Sequence, residues 1–134
     1  MTKWKTERVA GTDLDVREVL AVYASSGLGE RRPVEQAERF ADMVRNANLV
    51  VVCRAEGELV GIARSISDFS YVTYLSDIAV RKEHQRAGVG RALIEATRQE
   101  APLAKIVLLS APAATEYYPH LGFTPHHSAW VLNP

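Results

Sequence analysis

The sequence contains a single cysteine, Cys53, so no disulfide forms within the chain. It carries no excess charge of either sign, because sixteen Lys and Arg balance sixteen Asp and Glu. Nonspecific nucleic-acid binding rests on surplus positive charge facing phosphates, so neutrality argues against it, a local basic patch aside. Long apolar runs are missing too. Leu49–Cys53 and Ile106–Leu109 fall far short of the ~20 residues of a membrane span. Asp13, Asp15 and Glu18 break up the N-terminal stretch, which does not read as a signal peptide. These absences lead to the expectation of a soluble cytoplasmic protein with neither a membrane nor a nucleic-acid partner.

What is present is a chain of 134 residues, 47% of them apolar, which excludes a disordered segment and fits one domain over residues 1–134. There is no internal repeat, low-complexity tract or linker-like run. Residues 3–9 read as a short strand. Val16, Val19, Leu20 and Tyr23 recur at helical spacing, with Thr12 and Asp15 as a capping pair. Ser25-Ser26-Gly27-Leu28-Gly29 breaks that helix, and Pro33 suits the first turn of a second one lined by Val34, Phe40 and Val44. Leu49–Arg54 reads as a buried strand, Glu56-Gly57 as a hairpin turn, Leu59–Ile66 as the return and Tyr71–Val80 as a third long strand. A helix with a stripe of Val89, Ala92, Leu93 and Ala96 follows, then a strand at 105–109. A last helix runs from Pro112 to Gly122, and a closing hairpin pairs Phe123–Thr124 with Ala129–Leu132. The fold class is α/β with a mixed sheet, six to seven strands and four helices.

The chemistry concentrates after the third long strand. Arg81, Lys82, Arg86 and Arg91 stand against one acid, Glu83, in the most basic stretch of the chain. Within it, Gln85-Arg86-Ala87-Gly88-Val89-Gly90 runs into a helix. The first N–H groups of a helix lack backbone partners and carry the positive dipole end, and glycines let a phosphate approach them. The pattern therefore points to pyrophosphate binding by backbone, assisted by arginine. A P-loop is disfavoured because Gly90 is followed by Arg91-Ala92 and not by Lys-Ser/Thr. A dinucleotide fingerprint is disfavoured because Leu93 stands where its third glycine would.

Two motifs together resemble the GNAT N-acetyltransferase superfamily. Gln85 to Gly90 matches its Q-x-x-G-x-G element at every fixed position, and Tyr118-Pro119-His120-Leu121-Gly122-Phe123 is similar to its Tyr-x-x-x-Gly-Phe. The resemblance covers nearly the whole chain. It implies an acetyl-CoA-dependent N-acetyltransferase, with direct attack by an amine in a ternary complex and no metal. Acetyl-coenzyme A would lie between the Tyr71–Val80 strand and the strand at 105–110. Ile78, Ala79 and Val80 would present their backbone edge to pantetheine, and the Ile78 N–H would meet the thioester carbonyl. Gln85, Arg86, Ala87, Gly88, Val89, Gly90 and Arg91 would form the pyrophosphate loop, and Tyr118 would protonate the leaving thiolate. The acceptor would be a small-molecule amine, a peptide N-terminus or a lysine. A homodimer is compatible with the fold.

Where the family often carries a glutamate base, this chain has Tyr74 and Ser76, and Ala111 stands at a frequent asparagine. Asp77 is the one carboxylate of that strand, and strict alternation turns it away from Ser76. Two alternatives stay open: a catalytically silent coenzyme A-binding module, and a tRNA- or ribosome-directed acetyltransferase toxin. Tyr23, Phe69, Tyr71, Tyr74 and Trp130 are candidates for an acceptor wall or for the core. Cys53 reads as core packing. His126 and His127, on adjacent strand positions facing opposite ways, do not read as a metal site.

Overall fold

The structure, a computed structural model, describes residues 3–134. Strand β1 (Trp4–Val9) is followed by helices α1 (Val16–Ser26) and α2 (Ala37–Asn46). Strands β2 (Leu49–Ala55), β3 (Glu58–Ser67) and β4 (Val72–Val80), helix α3 (Val89–Glu100) and strand β5 (Lys105–Val107) complete the frame. The sheet order is β1-β2-β3-β4-β5, with antiparallel pairing up to β4 and a parallel β4–β5 junction. This is the expected mixed α/β architecture, although the strands and α-helices are fewer than the patterning suggests.

The differences have local causes. Asp15 itself caps α1, accepting the Arg17 N–H at 2.9 Å, and Thr12 makes no cap. Pro33 lies before α2 in a turn closed by Gln36 N–H on Pro33 O, because Arg32 is still extended. The segment after Pro112 folds into two 3-10 turns, Pro112–Ala114 and Tyr118–Leu121. Pro119 has no N–H to continue an α-helical ladder there and restricts Tyr118 before it. The final hairpin is absent. Pro125, directly after its first arm, has no N–H to extend a ladder, and Trp130, Val131 and Leu132 are exposed.

The β2–β3 turn is as expected, with Glu56 at φ 52° and Gly57 at φ 83°. Both centres of such a turn are left-handed, a conformation that Asn adopts more readily than Glu. Glu56→Asn is expected to stabilise the fold by ~0.5 kcal/mol, read as a higher urea midpoint at unchanged slope.

One face of the sheet packs on α1 and α2 through Val19, Val22, Tyr23, Phe40 and Val44, the other on α3 through Val89, Leu93 and Ile94. Cys53 lies buried on the α3 face, where burial pushes its thiol up to about 11, so it serves packing and not nucleophilic attack. The strand that matters most, β4, is irregular. Asp77 pairs with Arg64 and Leu75 with Ser65, which leaves Ser76 as the extra residue of a bulge. Leu75 faces α3, whereas Ala79 faces α1 and α2, so the bulge reverses the alternation in mid-strand.

Candidate active site

β4 and β5 pair only over Val72–Tyr74 and Lys105–Val107. From Leu75 to Val80, β4 has no strand partner on the β5 side, and a split opens there. The Arg81 N–H donates to Val60 O of β3 at 2.8 Å. Alternation then turns Ala79 toward β3, and the N–H and C=O groups of Ile78 and Val80 toward the split. The Val80 carbonyl is already occupied, because Gln85 Nε2 donates to it at 3.0 Å. Gln85 thus bends the glycine loop back onto the end of β4. The groups free for a ligand are the Val80 N–H and both polar groups of Ile78.

The loop itself is left-handed at Arg86 (φ 63°) and at Gly88 (φ 86°), which caps α3. Such kinks bring successive N–H groups together into an anion-receiving concavity. The first N–H of α3 to find a helical acceptor is that of Ala92, on Gly88 O at 3.0 Å. Among the described residues, the N–H groups from Arg86 through Arg91 meet no protein acceptor. Of the neighbouring cations, Arg81 is bonded to Leu59 O and paired with Glu58, and Arg91 reaches His120 O at 3.4 Å. Arg86 makes no such bond among the described residues.

Tyr118 sits on the second 3-10 turn, which Gly122 ends at φ 93°. Its ring packs on Phe123 at 5.5 Å and on Tyr117 at 5.2 Å, and it joins the same apolar cluster as Ile78 and Val80. The structure therefore places Tyr118, Ile78 and Val80 on the same, α3-facing side of the sheet. Burial, and then the neighbouring Tyr117, push the Tyr118 phenol above its ordinary range, so it stays protonated as an acid requires. Tyr117 carries no sequence signal for a place in the site. Its hydroxyl would lie 2.9 Å from a Cβ at Gly90, so it rests against the first turn of α3.

The expectation that Asp77 and Ser76 face opposite ways is overturned by the bulge. Asp77 is fully buried and accepts from Tyr23 Oη at 2.5 Å, Arg32 Nε at 2.6 Å and Arg64 Nε at 2.7 Å. Arg64 Nη2 also donates to Ser76 Oγ at 2.9 Å, and Arg32 Nη2 to Ser76 O at 2.9 Å. Burial alone would raise the Asp77 pKa, but the Arg64 charge and the bonds from Arg64, Tyr23 and Arg32 outweigh it and hold the carboxyl below its usual range. A carboxylate so engaged is a poor proton acceptor.

The aromatic candidates for an acceptor wall separate. Tyr23 is core, edge-on to Phe40 at 5.1 Å. Phe69 lies under Arg8, Tyr71 bonds Lys105, and Trp130 is solvent-exposed. Tyr74 alone stays by the split, in a cross-strand row with Ile66 and Val107, all exposed. The His126 and His127 rings stack at 6.0 Å in irregular chain and do not point apart. Among the described residues no cluster of three or more His, Cys, Asp or Glu is placed to hold a metal ion. Among the described residues no helix is long and apolar enough to cross a membrane.

The sequence profile described as "Acetyltransferase (GNAT) domain" matches residues 20–132. The chain belongs to the GNAT acetyltransferase family. It is 29% identical over 128 aligned residues to "Histone acetyltransferase TAP1" of Glycine max, covering 85% of this chain and 54% of that protein. The chain spans about half the length of the curated relatives it matches. Among solved structures it resembles the GNAT family protein SP0256 of Streptococcus pneumoniae (TM-score 0.74, 17% identity, 100% of both chains). It also resembles the aminoglycoside N-acetyltransferase AAC(6')-Iy in complex with CoA (TM-score 0.73, 14% identity, 100% of this chain and 96% of that one). At these identities the structural likeness speaks for the fold.

Proposed function

We propose that this chain transfers an acetyl group from acetyl-coenzyme A to an amine by direct attack. The observation that carries the reading is the unpaired edge of Ile78 and Val80 opening onto a loop whose N–H groups from Arg86 to Arg91 are free. The loop N–H groups and Arg86 would hold the pyrophosphate, and the β4 edge would hold the pantetheine amides. The Ile78 N–H donates to the thioester carbonyl oxygen as negative charge builds on it, a preorganised donor aimed at the charge that develops. The Tyr118 hydroxyl gives its proton to the departing thiolate. The amine approaches over Ile66, Tyr74 and Val107, whose exposed side chains suit an acceptor with an apolar or aromatic body. With Asp77 engaged by two arginines, the amine proton leaves through water. The rate is expected to climb with pH toward the acceptor's own pKa, checked by exchanging amines of different basicity.

The test is thiol release from acetyl-coenzyme A across a panel of amines, with acetylated products weighed by mass spectrometry. The absence of a free carboxylate on β4 favours one second reading, a coenzyme A-binding module without turnover. Binding without release in every amine would establish it. Gly90→Val provides the binding arm: a branched side chain there meets the Tyr117 hydroxyl and stands where the phosphate would come. Thermal stabilisation by added coenzyme A should largely vanish while the unliganded protein stays folded. Unchanged stabilisation would remove the loop from the site.

A further inference from the structure

We propose that Arg32 is a positioning residue that sets the Ile78 N–H in place through Asp77 and Ser76. The proposal rests on the reading of Ile78 as donor to the thioester carbonyl. The N–H of Ile78 belongs to the peptide unit that begins at the Asp77 carbonyl, so whatever holds the Asp77 side chain and the bulge before it aims that donor. A bulge has no ladder bond to fix its extra residue. Here the missing restraint comes from side chains: Arg32 on the Ser76 carbonyl, Arg64 on the Ser76 hydroxyl, and both on Asp77.

The three groups around Asp77 differ in origin. Tyr23 is on α1 and Arg64 on β3, both within packed elements. Arg32 comes from the connection between α1 and α2, in which no residue from 27 to 36 is buried. Among the described residues, every hydrogen bond from that connection to the sheet is made by Arg32. Its side chain is 22% exposed, whereas that of Asp77 is fully buried. All three guanidinium nitrogens are engaged, the third on Arg31 O at 2.8 Å. Three of its five N–H groups are thus committed to the protein, two of them to Asp77 and Ser76, and its chemistry there is that of a clamp. Without it, Asp77 Oδ1 keeps only Ser76 Oγ at 3.4 Å, and the Ser76 carbonyl loses its side-chain donor. Asp77 Oδ2 still holds Tyr23 and Arg64, so the core contact survives.

Arg32→Gln and Arg32→Lys test this, with kinetics and the backbone amide resonance of Ile78 read in the presence of coenzyme A. A misplacement of about 1 Å costs as much as a hundredfold in rate, so kcat in Arg32→Gln is expected to fall roughly ten- to hundredfold. The KM for acetyl-coenzyme A stays near the wild-type value, and the Ile78 amide shifts while those of Val50 and Leu93 do not. Lysine neutralises Asp77 as a point charge but lacks the fork that also reaches the Ser76 carbonyl, so Arg32→Lys should recover part of the loss. It is also the variant to read if Arg32→Gln does not fold. An unmoved Ile78 amide with wild-type kcat in either folded variant overturns the proposal, as does a defect confined to the acceptor KM. A wild-type protein that releases no thiol with any amine defeats the catalytic reading instead, and the Ile78 amide then still decides whether Arg32 positions it.

Discussion

Tyr118→Phe is expected to lower kcat by roughly 10²–10⁴-fold, the usual contribution of a positioned general acid. The substitution removes only the hydroxyl. The ring contacts with Phe123 and Tyr117 stay, and so does the packing on the α3-side core. A hydroxyl that acts mainly in the transition state leaves the KM for acetyl-coenzyme A nearly unchanged. The pH profile gives a second reading. Because burial holds the phenol above the ordinary tyrosine value of about 10, the acid form persists through neutral and mildly alkaline solution. An alkaline fall in kcat that belongs to Tyr118 should therefore come only above about pH 10, and should be absent from the Phe variant. Tyr117→Phe makes the comparison, because its hydroxyl rests against Gly90 at the start of α3. Its kcat should stay close to wild type. If Tyr118→Phe keeps full turnover while chemistry limits the rate, Tyr118 is a packing residue.

Asp77→Asn is the substitution with the largest expected effect on stability. It leaves the guanidiniums of Arg32 and Arg64, the latter almost fully buried, without their anion. Breaking a buried ion pair by removing one partner costs roughly 3–5 kcal/mol. For a domain of this size that is a fall in melting temperature on the order of 10 °C or more. The direction with pH follows from the depressed carboxyl. The stabilisation is full above the ordinary carboxylate pKa of about 3.9 and is lost as pH falls through the lower folded value. The gap between wild type and Asp77→Asn should therefore be flat from about pH 5 to 8 and close only in acid. A gap that widens in acid would mean that Asp77 is not the ionised centre of the cluster.

The glycine loop before α3 was legible in the sequence because it is local. Gln85 to Gly90 lie consecutively, and the conformational freedom of glycine and the exposed N–H groups of a helix start act within a few residues. The order of β and α elements was legible for the same reason: hydrophobic periodicity is a property of short windows. The C-terminal segment was read less well, because helical spacing from Pro112 onward hid the effect of Pro119, which breaks the ladder before an α-helix forms.

Asp77 is the residue on which sequence and tertiary structure part. From sequence it is one acid on an alternating strand, turned away from Ser76. The bulge at Ser76 reverses that alternation, and three partners from 13 to 54 positions away converge on its carboxylate. Nothing within a window of sequence sets such a register shift, since it depends on how β3 and β4 pair along their whole length. The sequence by itself determined the family and the glycine loop that opens α3. Tertiary pairing alone decided that β4 parts from β5 after Tyr74 and that Asp77 is a structural anion. Long-range hydrogen bonds and buried charge set those features, and no local propensity encodes them.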